Sequence, residues 1–425
     1  MTSILIKNGR VIDPGRNLDG PHDVWLEDGL IKAVEEPGRL TGTAGSTIEA
    51  AGRWVLPGLI DLHVHLREPG HEYKETVASG LAAAVAGGFT AVVAMPNTSP
   101  AMDNAEQVSA LLARAQAAGQ ARVWPAAAMT LGRQGQELTE YEHLRAAGAV
   151  AVTDDGAWVR NPKVMRRVLD YAAVAGLRPL CHAEDHDLSQ GGAINEGPIS
   201  TRLGLPGIPA QAEINAVTRD INLVELTGRP LHFCHLSTRG AVEALRAARA
   251  RGLPVTGETA PHYLFLTQED VGDYDPNAKM NPPLRTAEDR QAVREALADG
   301  TISALATDHA PHSVLEKEVE FIDAAFGIIG LETSLPLALE LVHAGLISPA
   351  RLVELMSLNP ARILNLPAGD LAPGRPADVT IVDPEVKWTL RPEDSRSLSR
   401  NSPFWGRSFA GRAVAVIVAG RQLAG

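Results

Sequence analysis

The feature that most constrains this chain is a regular alternation of apolar, strand-like segments and Ala-rich, helix-like segments in its central part. Helical patterns that end at glycine separate most of the strand candidates, and such an alternation predicts a parallel sheet. Eight near-equal units favour a closed (β/α)8 barrel, of the TIM type, over an open doubly wound sheet, since polar side chains follow nearly every strand and no GxGxxG or P-loop pattern is present. The eight strand candidates are WVLPGLIDLHVH, FTAVVAMPN, RVWPAAAMT, AVAVTDDG, RPLCHAE, PLHFCHLS, LPVTGETAPHY and ISALATDHAPH.

The two ends of the chain have a different pattern, with short alternating segments between Gly, Asp and Pro turns. Examples are SILIKNGRVI near the start and AVAVIVAGRQL near the end. Neither end is long enough to close a sheet alone, so we expect the two to pair with each other. The prediction is a small β-sandwich domain from residues 1–55 plus 368–425, and a catalytic barrel from residues 56–367.

Charge and cysteine content exclude several classes of protein. A formal net charge of −12 gives no electrostatic footprint for nucleic acid, and an anionic ligand would need a site built locally from Arg and His. Two cysteines among 425 residues imply no disulfide framework and suit a reducing compartment. Without a signal-peptide pattern or a long apolar run, we expect a cytoplasmic protein with a small-molecule substrate and no membrane partner.

The strongest local motif is Asp61-Leu62-His63-Val64-His65, at the end of the first barrel strand. Residues two apart on a strand face the same way, so His63 and His65 both point into the barrel mouth. Two imidazoles on one face can share a divalent metal ion. An isolated HxH would more often be two histidines that satisfy hydrogen bonds in a core.

Four further strand candidates end in His or Asp, which favours the metal site over that structural explanation. Active sites of barrels form at the carboxyl ends of different strands, so we expect these groups to meet. Together they supply enough imidazoles and carboxylates for one or two ions of zinc, cobalt or manganese. The groups are Thr153-Asp154-Asp155-Gly156, His182-Ala183-Glu184-Asp185, His235-Leu236-Ser237 and Thr307-Asp308-His309-Ala310-Pro311-His312.

Cys181 and Cys234 directly precede two of these histidines. Neighbours on a strand point to opposite faces, so both thiols are expected to face the helices as small apolar fillers. A thiol nucleophile is therefore not predicted.

Motifs spread over nearly the whole chain carry a family resemblance. They are DLHVHLREPG at 61–70, MPNTSP at 95–100, TDDG at 153–156, HAED at 182–185, HLST at 235–238, APHY at 260–263, NPPLR at 281–285, ATDHAPH at 306–312 and AFGIIGLET at 325–333. The pattern resembles the amidohydrolase superfamily and, within it, bacterial dihydroorotases of the type that lacks a carboxylated lysine. HxH is a superfamily signal, whereas HLREPG, MPNT and NPPLR are closer to the dihydroorotase family. One departure is Tyr263, where relatives usually have a second His.

The resemblance implies two zinc ions per subunit. A carboxylate of the fourth strand bridges them, and the family spacing selects Asp155 over Asp154, which should then face away. Many amidohydrolases use a carboxylated lysine there, but the nearest downstream lysine is Lys163, past the turn. The implied metal ligands are His63, His65 and Asp308 for one ion, His182 and His235 for the other, and Asp155 between them.

The resemblance also implies a set of substrate contacts. Arg67 follows the HxH by two residues, and its planar guanidinium can bind a carboxylate in bidentate fashion. From turn statistics alone, Asn281 could equally be a turn residue before two prolines. Gly- and Pro-flanked loops at 279–285 and 312–325 are candidate lids. The implied substrate-binding residues are His65, Arg67, Asn97, Asn281, His312, Phe326 and Gly327.

The implied activity is the reversible cyclisation of N-carbamoyl-L-aspartate to dihydroorotate, in pyrimidine biosynthesis. In the hydrolytic direction, a metal-bound hydroxide attacks the ring amide and Asp308 is the general acid and base. One alternative is a hydantoinase or allantoinase, although these usually carry the bridging lysine. Another is a non-catalytic partner of aspartate carbamoyltransferase, although every expected ligand position is filled here. A homodimer, and association of a catalytic chain with that transferase, are further expectations from the family.

Overall fold

The eight central strand candidates form one parallel sheet in the computed structural model, which describes residues 3–424. Their order in space follows their order along the chain. The first and last strands meet where Val64 pairs with His309, and the His65 N–H donates to the His309 carbonyl over 3.0 Å. The central fold is therefore a (β/α)8 barrel, as predicted.

The strands within the described residues are β1 Ser3–Asp13, β2 Leu18–Glu27, β3 Leu30–Glu35, β4 Ser46–Glu49, β5 Trp54–Pro57, β6 Leu59–Val64, β7 Phe89–Ala94, β8 Arg122–Ala127, β9 Ala151–Val152, β10 Arg178–Cys181, β11 Ile194–Asn195, β12 Gly207–Ile208, β13 Leu231–Phe233, β14 Val255–Thr259, β15 Ala304–Leu305, β16 Val379–Thr389, β17 Ser408–Val418 and β18 Arg421–Ala424. The barrel consists of β6 to β10 and β13 to β15, and β11 pairs with β12 in a small separate sheet.

The α-helices are α1 Val77–Ala86, α2 Ala105–Ala118, α3 Tyr141–Ala146, α4 Pro162–Ala175, α5 His186–Ser189, α6 Pro198–Leu203, α7 Ala210–Thr227, α8 Arg239–Ala250, α9 Pro261–Phe265, α10 Ala287–Asp299, α11 Val314–Lys317, α12 Leu331–His343, α13 Pro349–Val353 and α14 Asn359–Ile363. A π-helical turn at Glu354–Leu358 joins the last two. Short 3-10 segments lie at Pro14–Arg16, Leu131–Arg133, Gln268–Val271, Pro276–Ala278 and Pro392–Asp394.

The crossover helices begin and end at residues suited to those positions. Asn104 caps α2 by accepting the backbone N–H groups of Glu106 and Gln107, which otherwise lack partners in the first turn. Gly119 ends that helix with φ 60°, a left-handed conformation that glycine adopts without steric cost. The predicted glycine stops are thus present, and each helix returns the chain to the start of the next strand.

Both ends of the chain join in one mixed sheet of eight strands. The link between the ends is the antiparallel pair β5 and β16, in which Leu56 lies opposite Thr380 and Val55 opposite Ile381. The β1, β2, β3 and β4 strands extend the sheet on one side, and β17 and β18 extend it on the other. The pairing of the two ends is as predicted, whereas the division into domains at residues 55 and 368 stays a prediction.

The barrel strands bury both of their faces. On β7, Val92 packs outward among helix residues such as Leu81 and Leu111, whereas Ala91 and Val93 point into the barrel interior. Each fully buried aliphatic side chain of this size contributes about 1.5–3 kcal/mol, so the barrel is a rigid platform for the loops at its carboxyl end. Among residues 3–424 there is no helix long and apolar enough to cross a membrane.

Candidate active site

A pocket of about 190 Å³ opens at the carboxyl end of the barrel strands. A larger groove of about 990 Å³ beside α12 and β17 contains none of the predicted site residues. His63 is fully buried beside Asp155, a residue of the pocket lining, and Gly327 follows Phe326 of the pocket wall. The other predicted residues line the pocket directly, namely His65, Arg67, Asn97, Asp155, His182, His235, Asn281, Asp308, His312 and Phe326.

A local irregularity in β6 sets which face of the barrel the two histidines of the HxH motif occupy. The pairing of β6 with β7 shifts between Asp61 and Val64, and the Leu62 side chain packs in the barrel interior. Past this bulge, Val64 faces the helices, and the rings of His63 and His65 lie 5.2 Å apart. β-Bulges redirect side chains in this way beside many active sites.

Asp155, at the end of β9, points its carboxylate into the histidine cluster. Its Oδ1 lies 3.2 Å from Nε2 of His63 and 3.7 Å from both Nδ1 of His182 and Nε2 of His235. The neighbouring Asp154 faces away and accepts hydrogen bonds from the backbone N–H and the hydroxyl of Thr130. The two aspartates thus have separate surroundings, and only Asp155 reaches all three histidines.

Asp308 lies on the opposite side of the same cluster. Its Oδ1 is 3.1 Å from Nε2 of His65 and 3.5 Å from Nε2 of His63. Burial alone would raise the pKa of Asp308, but His63 and His65 outweigh burial and hold that pKa well below its usual range. The carboxylate is therefore ionised at neutral pH.

Three histidines in the cluster have a polar partner on the nitrogen that points away from Asp155. His63 Nδ1 lies 3.3 Å from Glu258, His65 Nδ1 lies 2.8 Å from the Asn97 side-chain oxygen, and His182 Nε2 lies 2.8 Å from Glu184. Such acceptors fix the ring tautomer and leave the other nitrogen free to bind a metal ion. Sequence reasoning assigned no role to Glu258 or Glu184, although an acidic residue at the end of a buried strand was a usable signal.

The end of β13 corrects one expectation. Cys181 packs among the helices, as predicted, and also donates to Asp220 on α7, whereas Cys234 points into the barrel interior, close to His63 and Glu258. The prediction for Cys234 was wrong because β13 ends at Phe233, so Cys234 lies after the strand, whereas Cys181 is the last residue of β10. His235 has φ 36°, and this left-handed backbone turns its ring inward. Burial raises the pKa of the Cys234 thiol to about 12, so the thiol stays protonated.

The cluster has the chemistry of a cation site. His63 Nε2 and Asp155 Oδ1 are buried and have no hydrogen-bond partner within residues 3–424. His182 Nδ1 and His235 Nε2 lie only 3.0 Å apart, a separation that two imidazole nitrogens tolerate only with a proton or a cation between them. Nitrogen and oxygen ligands in this arrangement suit a divalent first-row metal ion. The residues present therefore fit a metal ion.

Arg67 provides a buried positive charge beside this cluster. Its Nε donates to the Pro311 carbonyl over 3.1 Å, and its Nη2 lies 3.2 Å from Nε2 of His312. Burial lowers the pKa of Arg67 to about 10, so the group stays charged at neutral pH. Burial and the nearby Arg67 lower the pKa of His312 to about 2, so this imidazole is neutral and can accept from the guanidinium. The remaining donors of Arg67 can meet an anion in the pocket.

The NPPLR segment closes the pocket from the other side. Asn281 donates from Nδ2 to Glu184 over 2.8 Å, and its side-chain oxygen is buried without a partner in the described chain. Tyr263, the residue that departs from the family pattern, donates its hydroxyl to the Pro282 carbonyl over 2.6 Å and so supports this segment. Burial lowers the pKa of the adjacent His262 to about 4, which keeps its ring neutral.

Comparisons with known proteins agree on one family. The family model described as "Dihydro-orotase-like" matches residues 52–241. A "Dihydroorotase" from Anaeromyxobacter dehalogenans is 54% identical over 98% of this chain and 97% of its own length. A "Dihydroorotase" from Geobacter metallireducens is 50% identical over 99% of both chains. This chain belongs to the dihydroorotase family.

The solved structures show how far this dihydroorotase-family fold is shared. An L-hydantoinase (dihydropyrimidinase) from Arthrobacter aurescens superposes with a TM-score of 0.88, covering 100% of this chain and 96% of that chain, at 26% identity. The barrel with its mixed sheet from both chain ends therefore extends to other cyclic amidohydrolases. The fold alone does not distinguish a hydantoinase from a dihydroorotase. The sequence identity of 50% and 54% to the two dihydroorotases does.

Proposed function

We propose that this member of the dihydroorotase family interconverts N-carbamoyl-L-aspartate and dihydroorotate in pyrimidine biosynthesis. The observation that carries the proposal is the position of Arg67, a buried cation in the same pocket as Asp308 and the histidine cluster. A substrate with a carboxylate next to a hydrolysable ring amide suits a guanidinium beside a hydrolytic centre. The net charge of the chain is −12, so this local cation is what makes the pocket attractive to an anion.

We also propose that the cluster holds two zinc ions. Bound metal supplies Lewis-acid activation of water and of the amide carbonyl. The six proposed ligands are His63, His65, Asp155, His182, His235 and Asp308.

The residues of the chain have separate tasks in the proposed reaction. Hydrolysis forms a bond from the water oxygen to the carbonyl carbon, breaks the ring C–N bond and adds a proton to the nitrogen. Asp308 accepts the proton of the attacking water at a carboxylate oxygen and delivers it to the leaving nitrogen. Arg67, Asn97 and His312 hold the substrate carboxylate, and ring closure follows the same steps in reverse.

Asn281, Phe326 and Gly327 are the proposed contacts for the substrate ring. The free side-chain oxygen of Asn281 can accept from a ring N–H, because its Nδ2 is already bound to Glu184. Phe326 lines the opposite wall, and Gly327 follows it with its backbone close to His312. Phe326 can meet the planar ring, and Gly327 lets this wall lie close to Ala310 and His312, where a larger residue would not fit.

The main alternative is hydantoinase activity, which the solved neighbours carry in their names. Arg67 argues against it, since a hydantoin ring need not carry a carboxylate for a buried guanidinium to bind. The other alternative, a non-catalytic partner of aspartate carbamoyltransferase, conflicts with a complete set of ligand candidates. A homodimer, and association of the active chain with that transferase, stay predictions.

The test is hydrolysis of dihydroorotate by the full-length protein, followed as loss of ring absorbance in the ultraviolet. We expect activity in metal-replete protein, loss after chelation, and recovery with zinc. Allantoin and 5-substituted hydantoins serve as competing substrates. Turnover of these compounds but not of dihydroorotate, in protein that contains metal, would reject the proposal.

A further inference from the structure

Two lysines are buried beside the pocket, away from the proposed metal ligands. Lys279 precedes the NPPLR segment and is 2% exposed, and Lys317 ends α11 and is 3% exposed. A buried ammonium is costly unless its hydrogens find acceptors. Every hydrogen bond that these two groups donate in the described chain goes to a backbone carbonyl.

Lys317 uses all three of its donors on two segments of the chain. Its Nζ lies 2.8 Å from the carbonyl of Ala325, 3.0 Å from that of Gly327 and 3.4 Å from that of Lys279. The Gly327 N–H also donates directly to the Lys279 carbonyl over 2.9 Å. The 325–327 segment is thus joined to the start of the NPPLR segment at several points.

Lys279 makes a second connection, to the chain just before Phe326. Its Nζ donates to the carbonyls of Phe321 and Ile322 over 2.8 and 2.9 Å and lies 4.5 Å from the ring centroid of Phe326. The ammonium therefore supports the face of this pocket-lining ring through a cation–π contact as well. Lys317, at the end of α11, thus joins the 325–327 segment to the Lys279 carbonyl, while Lys279 binds the backbone at 321–322 and the Phe326 ring.

The two joined segments are the walls of the pocket. Phe326 lies in one of them, and Met280 and Asn281 directly follow Lys279 in the other. Burial lowers the pKa of Lys317 to about 7 and that of Lys279 to about 8, so burial disfavours the charged form of both groups. Apolar side chains of similar size would fill the same space without that cost.

We infer that Lys279 and Lys317 are positioning residues, which hold the 325–327 wall against the NPPLR wall at the spacing that the anionic substrate ring needs. This inference rests on the proposed function. Neither lysine contacts the metal-ligand candidates, so loss of a lysine should weaken substrate binding and spare the chemical step.

The test uses full-length, metal-loaded protein with Lys317→Met, which keeps the length of the side chain and removes its donors. The variant loses the three hydrogen bonds that fix the pocket wall, so we expect KM for dihydroorotate to rise about tenfold or more. We expect kcat to change less than about threefold and Lys317→Arg to recover part of the affinity. Amide hydrogen exchange at 325–327 should accelerate while the barrel strands stay protected. Lys163→Met, on the exposed face of α4, is the matched control.

A folded Lys317→Met protein with unchanged KM, or with a loss confined to kcat, would overturn the inference. If this variant does not fold, Lys279→Met is judged by the same criteria. Failure of the wild-type protein to hydrolyse dihydroorotate would instead reject the proposed function. The hydrogen-exchange measurement does not depend on turnover. If the amides of 325–327 exchange equally slowly in the variant and in the wild type, the lysines do not hold this segment in place, and the inference is overturned in that case as well.

Discussion

Glu258 lies between two imidazoles, with Oε1 3.3 Å from Nδ1 of His63 and Oε2 3.1 Å from Nε2 of His232. Burial alone would raise the pKa of Glu258, but hydrogen bonds from His232 and His63 lower it to about 2. The ionised carboxylate makes Nδ1 of His63 the protonated nitrogen. Nε2 of His63 is then left to face Asp155.

Replacement of this carboxylate should therefore weaken the metal site. Loss of such a partner of a ligand histidine typically lowers metal affinity about 10–100-fold, and we expect a decrease in that range for Glu258→Gln. Competition with a chromophoric chelator measures the affinity without any assay of turnover. Glu243→Gln, at an exposed position of α8, is the control. Equal affinity of Glu258→Gln and wild type would show that Glu258 does not orient His63.

Asp308→Asn tests the proposed proton carrier. The amide cannot accept a proton, and general acid–base catalysis typically contributes about 10²–10⁴-fold, so kcat should fall by that factor. Metal content must be measured in the same sample, since Asp308 is also a proposed ligand. A variant with full metal content and wild-type kcat would assign proton transfer to another group, and Asp273→Asn is the surface control.

Arg67→Lys tests how the carboxylate is bound. Lysine keeps the charge but cannot bond to Pro311 and His312 while presenting two parallel donors to the substrate. Loss of one charged hydrogen bond costs about 1.5–3 kcal/mol, so KM for dihydroorotate should rise about 10–100-fold. Steady-state kinetics measure this change, with Arg160→Lys on the surface as the control. An unaltered KM would mean that the substrate carboxylate lies elsewhere.

Gly327→Ala tests how closely the pocket wall approaches the loop after β15. A Cβ atom there would lie 2.5 Å from the Ala310 carbonyl oxygen and 2.7 Å from Cδ2 of His312, so one of the two segments must move. Overpacking of this kind costs about 1–3 kcal/mol, and we expect a lower thermal midpoint together with a raised KM. Gly20→Ala, where a Cβ atom would meet nothing within 4 Å, should leave both unchanged. A stable Gly327→Ala protein with normal KM would contradict the close approach.

The barrel was predictable because its signals are local. The barrel strands and the helices between them are recognisable from the periodicity of their apolar residues. Residues such as Asn104 and Gly119 mark where a helix begins and ends. Pairing between the two ends of the chain was predictable because neither end is long enough to close a sheet alone. The sequence could not specify the register within that sheet, where β1 and β2 change their alignment between Ile6 and Gly9.

The site was predictable to the extent that strand alternation holds. It gave the correct face for Cys181 and failed at Cys234, because β13 ends at Phe233 and the alternation does not extend past the strand. Glu258 was missed for another reason. Its partner His63 lies 195 positions away, and only closure of the barrel brings the first and seventh strands together across the interior.

The pairing of β5 with β16 has a consequence for synthesis of the chain. The segments of β1 to β5 leave the ribosome first, but the edge of β5 that receives β16 stays open while the whole barrel is translated. An unpaired edge is a template for wrong association during that interval. Strands β16 to β18 therefore complete a sheet that β1 to β5 begin, and translation of residues 379–424 is the step that removes this exposed edge.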